Sequence, residues 1–216
     1  MPPSGIRQVM HLIIILREVY FIMINLKKSG NVRALVEASL LVAVGFVLSY
    51  ITLPKLQSGG SVTALSMLPI LLIGLRHGLK WGLGGGFVYA CLQMLQQFYP
   101  PPSGTLEAYI AVVFLDYLIA FSVLGLSGLF AKKRYGLLFA APLCLTLRFL
   151  SHFLSGIVIW SVYAGDQSAW IYSLVYNGSY MGIELVATTA AAFVLSKRLD
   201  LTGRAVDDKA PRVGGD

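Results

Sequence analysis

The chain has 216 residues, of which 56% are hydrophobic and only 12% charged. Soluble domains carry about 25% charged residues, so this composition excludes a soluble globular domain and points to an integral membrane protein. At ~20 apolar residues per crossing the length accommodates about six helices with short loops and leaves no room for a soluble catalytic domain.

In chain order, residues 1–30 form an N-terminal extension. Its "MHLIIILREVYFIM" is apolar but short for a crossing and is split by Arg17 and Glu18. No small-residue cleavage site marks it as a signal peptide. An interfacial helix is one reading; the favoured one is a translation start at Met23, where "MINLKKSGNVRALVEA" runs as a basic leader into the first span. Apolar runs bounded by charge, Pro or Gly then predict spans near residues 34–53, 63–76, 81–98, 108–131, 136–163 and 169–196. The second is short, contains Pro69 and follows "QSGGSVT", so its start is expected to be partly unwound, which membrane depth tolerates where backbone lines a cavity. Residues 31–198 make the membrane domain, and 199–216 read as a flexible polar tail.

The loops sort by charge. Lys27, Lys28 and Arg33 precede span 1, Arg76 and Lys80 join spans 2 and 3, Lys132, Lys133 and Arg134 join spans 4 and 5, and Lys197, Arg198, Arg204, Lys209 and Arg212 follow span 6. The alternate loops contain only one basic residue, Lys55. Positive loops stay cytoplasmic, so both termini are predicted there. The net charge of +7 is therefore topological and implies no nucleic-acid partner. No G-x-x-x-x-G-K-[ST] stretch supplies a nucleotide motor. Cys91 and Cys144 lie in apolar runs without metal or redox spacing and read as packing residues.

Five ionisable residues remain in or near the spans: Glu37, Asp116, Arg148, His152 and Glu184. Such groups cost at least ~2.5–3.5 kcal/mol at the bilayer centre and normally face a cavity or one another. Glu37, one turn into span 1, suits the helix dipole. Glu184 either pairs or lines a site. Asp116, beside Tyr117, either ties two helices through Arg148 or receives a cationic or hydrogen-bond-donating ligand. Arg148 and His152 are four apart and share a helical face, which is extended eight residues on to Trp160.

Span 6 adds Trp170, Tyr172, Tyr176, Asn177 and Tyr180 in "AWIYSLVYNGSY". Trp170 and Tyr180 read as an interfacial belt, whereas the Asn177 amide needs partners. Tyr89 follows "GLGGGF", a run suited to close helix packing. One His and one Asp fall short of a metal ligand set, and no cofactor is implied. The polar groups gather in the outer halves of spans 4, 5 and 6. A carboxylate among aromatic planes suits a flat, heteroaromatic, cationic solute.

Four stretches, "GGSVTALSMLPILLIGLRHGLKWGLGGGFVYACLQ", "FLDYLIAFSVLGLSGLF", "LRFLSHFLSGIVIWSVYA" and "WIYSLVYNGSY", stand in an order and spacing that resembles the thiamine-specific substrate-binding subunit (S component) of energy-coupling factor (ECF) transporters. The resemblance covers about residues 30–198. It implies an all-α integral membrane protein, a six-transmembrane-helix bundle binding thiamine near the extracellular face, partly covered by the loop between spans 1 and 2. It further implies that Asp116 faces the aminopyrimidine with Tyr117 beside it and that His152 and Trp160 stack around the rings. Arg148 then takes a basic position, Tyr172 and Asn177 make polar contacts, and Tyr89 takes an aromatic position. Small residues four apart in span 1, Ser39 and Ala43, with Ala34 and Ala38 one turn earlier, correspond to the family's contact with a transmembrane coupling subunit. Two ATPase subunits complete the implied module. Some members carry Glu at the place of Asp116 and Lys at that of Arg148, and some supply a tryptophan where this chain has Gly59 and Gly60.

Two other classes are weighed against it. A self-sufficient proton-coupled transporter of a small heteroaromatic cation would use Asp116 or Glu184, but no inverted repeat is visible. A membrane enzyme using His152 and Asp116 as acid and base lacks a nucleophile, metal set or second carboxylate.

Overall fold

The computed structural model describes residues 30–52, 62, 63, 65–131 and 133–198. The N-terminal extension up to residue 29, with Met23, the loop with Lys55, Gly59 and Gly60, Lys132 and the C-terminal tail lie outside the described residues.

Among the described residues six helices follow one another: α1 (Gly30–Ser49), α2 (Leu68–His77), α3 (Leu79–Gln96), α4 (Leu106–Phe130), α5 (Gly136–Val158) and α6 (Ala169–Arg198). A single turn of 3-10 helix, Ser161–Ala164, stands between α5 and α6. Among the described residues there is no strand, and the one isolated bridge pairs Thr52 with Thr63. The all-α, six-helix expectation therefore holds. Four of the helices, α1, α4, α5 and α6, are long and apolar enough to cross a bilayer.

Within the first compact unit, Met1–Leu40, Glu37 pairs with Arg33 at 2.8 Å, one turn back on α1. Within the second, Leu41–Asp216, outward positions on the long helices carry Phe114, Phe139, Leu150, Leu154, Val158 and Val186, all exposed. Arg148, Ser151, Ser155, Ser173, Asn177 and Glu184 are buried. Apolar outside and polar inside is the pattern of a chain whose solvent is lipid.

The second span is half a span. Its 10 helical residues rise about 15 Å at 1.5 Å each, against a hydrocarbon core of about 30 Å. Pro69 opens α2, where its missing N–H costs nothing. Upstream the backbone is not helical, and Leu65 takes a positive φ of 58°. The expected unwound start is thus present. The Glu184 carboxylate accepts from both the amide (2.9 Å) and the hydroxyl (2.8 Å) of Thr63, so this irregular backbone is satisfied by protein.

Only Gly78 separates α2 from α3. Its φ of 86° and ψ of −179° belong to a region open essentially to glycine alone, and this is what lets two helices reverse in one residue. The hairpin then packs on the last third of α4 backbone to backbone: a Cβ on Gly125 would strike the carbonyl of Gly82 and the amide of Leu83. Gly125→Ala is expected to destabilise the protein by about 3 kcal/mol, because neither backbone can yield as a side chain would. Gly84→Ala, whose Cβ meets nothing within 4 Å among the described residues, is expected to leave the unfolding temperature in detergent unchanged; equal behaviour of the two variants would remove the packing argument.

The fourth helix is not uniform. It begins as an α-helix over Leu106–Val112, with Thr105 accepting from the Ala108 amide and Glu107 in its first turn. It widens to a π-helix over Val113–Ile119 and tightens to 3-10 over Val123–Phe130. Departures of this kind inside a long helix often mark functional positions. Asp116 lies in the π segment.

Candidate functional site

Asp116 is the centre of a part-buried hydrogen-bonded cluster. Its Oδ1 faces His152 Nδ1 at 3.0 Å, and its Oδ2 accepts from Ser155 Oγ at 2.7 Å and from the Trp160 indole N–H at 2.9 Å. The Trp160 N–H also reaches Ser155 Oγ at 3.1 Å. A carboxylate offers about four lone-pair sites; three are taken by protein donors, leaving one. Among the described residues no Lys or Arg pairs with Asp116.

Arg148 does not join it. The Arg148–Asp116 tie considered from sequence is not made: Arg148 bonds Glu184 at 2.8 Å, both side chains buried, and its guanidinium lies 4.9 Å from the centre of the Phe121 ring. Phe121 also contacts His152 edge to face at 6.5 Å and Tyr89 at 5.3 Å. Tyr89 is fully buried and connects to the cluster through Phe121.

The position of Trp160 corrects the sequence reading. The apolar run predicts a fifth helix reaching residue 163, with Trp160 on the face of Arg148 and His152, but α5 ends at Val158. Trp160 has φ −96° and ψ 5° and caps the 3-10 turn that follows. The β-branched run Ile157, Val158, Ile159 after Gly156 weakens the helix, and the Ile159 and Trp160 amides both fall back onto the Ser155 carbonyl, at 2.8 and 3.3 Å. By leaving the helix, the indole turns its N–H to Asp116.

Asn177 on α6 joins the same seam. Its amide donates to the His152 carbonyl and to Ser173 Oγ, each at 3.2 Å, and its oxygen accepts from the Tyr180 hydroxyl at 2.9 Å. Both donors are therefore used, and one acceptor position remains. Gly156 permits this approach, since a Cβ there would strike the Ser173 side chain. Tyr172 stacks on Tyr176 at 5.8 Å, and Tyr176 meets Tyr180 edge to face at 5.9 Å. Tyr180, assigned to an interfacial belt from sequence, instead faces inward onto Asn177; Trp170 is 65% exposed.

Tyr117 is buried and turned elsewhere. Its hydroxyl donates to the Gln97 carbonyl at 2.8 Å and accepts from the Tyr99 amide at 3.1 Å, while its ring stacks on Phe98 at 5.7 Å. It pins the loop between α3 and α4. Sequence reasoning did not single out Ser155, Ser151 or Phe121; the four-residue spacing of the two serines, in register with Arg148 and His152, was the available signal.

The cluster is shallow in the bundle. Asp116 is ten residues from the start of α4, His152 six from the end of α5 and Asn177 eight from the start of α6. At 1.5 Å per residue these depths are about 15, 9 and 12 Å. The charge-poor loops adjoin these helix ends, so by the positive-inside rule the cluster belongs to the outer half of the membrane.

On α1, the two small-residue pairs part company: Ser39 and Ala43 are exposed, whereas Ala34 and Ala38 are buried.

Comparison with known proteins identifies relatives over most of the chain. A protein named Thiamine transporter ThiT from Bacillus subtilis is 31% identical over 173 residues, covering 72% of this chain and 86% of the relative. One of the same name from Lacticaseibacillus paracasei is 30% identical over 177 residues, 74% of this chain and 85% of that one. The solved structure of ThiT from Listeria monocytogenes superposes with a TM-score of 0.65 at 24% identity, covering 79% of this chain and 96% of that one, and so shares the fold. With the profile of the family described as thiamine transporter protein (Thia_YuaJ) matching residues 35–202, the chain belongs to that family of multi-pass membrane proteins.

Proposed function

We propose that this chain is the thiamine-binding membrane subunit of an ECF transporter and carries out no bond chemistry. The observation that carries the reading is Asp116: a carboxylate in the outer half of the membrane, held by three donors and, among the described residues, unmatched by Lys or Arg. Arg148 is neutralised by Glu184, so the charge balance favours a monocation. Thiamine fits, with a thiazolium charge and an exocyclic amine for the one free lone-pair site on Asp116. The relatives' names support the same ligand.

In this reading Asp116 faces the aminopyrimidine, and the rings of His152 and Trp160 and the Tyr172 side of α6 wall the ligand. Asn177 contributes at most its remaining acceptor position. Arg148, Tyr117 and Tyr89 support the walls from behind. Transport requires a transmembrane coupling subunit, docked on α1 at the exposed Ser39 and Ala43, and two ATPase subunits to supply energy. Close approach of backbones at small residues is the usual basis of such helix contacts.

Calorimetric titration of the purified protein with thiamine, its monophosphate and the isolated aminopyrimidine tests the ligand. Thiamine is expected to bind most tightly and to quench Trp160 fluorescence. Tighter binding of the monophosphate, or no binding of thiamine, would overturn the reading. Uptake into liposomes driven by a pH gradient with this chain alone would instead establish a self-sufficient transporter.

A further inference from the structure

Two buried serines on α5 engage the π-helical segment of α4. Ser151 Oγ donates to the Leu115 carbonyl at 2.6 Å, and Ser155 Oγ donates to Asp116 Oδ2 at 2.7 Å. They are 4% and 0% exposed and stand one turn apart, on either side of His152. Widening a helix to the π form changes its hydrogen-bond register, and buried carbonyls and carboxylates require donors. A hydroxyl on a neighbouring helix supplies a donor at each of two successive residues. Ser155 does more: its oxygen also receives the Trp160 indole N–H, so one hydroxyl fixes the carboxylate and the indole relative to each other.

We propose that Ser151 and Ser155 are positioning residues for ligand recognition. Ser151 sets the backbone of the π turn, and Ser155 sets the rotamer of Asp116 and the plane of Trp160. Asp116 has a short side chain, and without the Ser155 hydroxyl its carboxylate is held by His152 and a less constrained indole. Selectivity for the group facing the carboxylate then falls. The inference rests on thiamine being the ligand and on Asp116 facing the aminopyrimidine.

The probe pair is thiamine and its 4′-oxo analogue, in which a carbonyl replaces the exocyclic amine. A fixed carboxylate accepts from the amine and repels the carbonyl. Ser155→Ala is expected to weaken thiamine binding about tenfold, the scale of one charge-assisted hydrogen bond, and to change the analogue's affinity by less than about threefold. The thiamine-to-analogue ratio therefore falls. Ser151→Ala is expected to lower the ratio in the same direction, and Ser155→Cys, which fills the space with a weak donor, to fall between wild type and Ser155→Ala.

Ser127→Ala is the control: Ser127 is buried at the opposite end of α4 and its hydroxyl has no partner among the described residues, so its ratio should equal that of the wild type. Wild-type selectivity in Ser155→Ala and Ser151→Ala, or an equal loss for both ligands in each, would overturn the positioning role. Failure of the wild-type protein to bind thiamine would instead overturn the underlying functional reading. Should Ser155→Ala fail to fold, the ratios of Ser155→Cys and Ser151→Ala decide between the same outcomes.

Discussion

Asp116→Asn is expected to weaken thiamine binding by about 100-fold or more. Three donors converge on this side chain: the His152 ring, the Ser155 hydroxyl and the Trp160 indole. Asparagine keeps one acceptor oxygen and replaces the other with an NH2 group that points a donor at donors. It also removes the negative charge that balances the ligand. Hydrogen bonds to a charged group contribute about 1.5–3 kcal/mol each, so a total loss of about 3 kcal/mol is a conservative figure, equivalent to about 100-fold. Titration of the variant in detergent reads this directly, with the unfolding temperature of the ligand-free protein measured alongside. An affinity within about threefold of wild type would show that Asp116 does not face the ligand.

The second large effect concerns stability. Arg148 and Glu184 form a buried pair at 2.8 Å linking α5 to α6, and Glu184 simultaneously holds Thr63 ahead of α2. Breaking a buried pair by removing one partner costs about 3–5 kcal/mol, because the other charge is left uncompensated. Arg148→Met is therefore expected to lower the unfolding temperature sharply and reduce the yield of folded protein. Adding Glu184→Gln removes the stranded charge while its amide oxygen still accepts from Thr63, so the double variant should recover most of the loss. Thiamine affinity in that double variant should stay within about tenfold of wild type, since Arg148 makes no contact with Asp116. A single variant as stable as wild type, or a double variant no better than the single, would show that the pair is not what holds these helices.

Much of the site was legible in the sequence because lipid makes polar residues conspicuous. Asp116, Arg148, His152 and Glu184 stand out in apolar runs at the level of composition alone, and the spacing of Arg148 and His152 places them on one helical face. The alternation of basic loops shows which helix ends face outward. Who pairs with whom was not legible. Glu184 and Asp116 were both available to Arg148, and the choice depends on how α4, α5 and α6 pack. Likewise, serine is common in membrane helices, so nothing in the sequence separates Ser155, which bonds Asp116, from Ser127, whose hydroxyl has no partner among the described residues.

By itself, then, the sequence determined the solvent, the all-α class and the helices from which the polar groups come, because these follow from local apolar length and charge. Only the tertiary structure decided that α5 stops at Val158, so that Trp160 bends back to Asp116, that α4 widens into a π-helix at that residue, and that Arg148 belongs to Glu184. Each of these depends on where a donor on one helix meets an acceptor on another. Such meetings are set by backbone approach at glycines such as Gly156 and Gly125, and no pattern within a single helix encodes them.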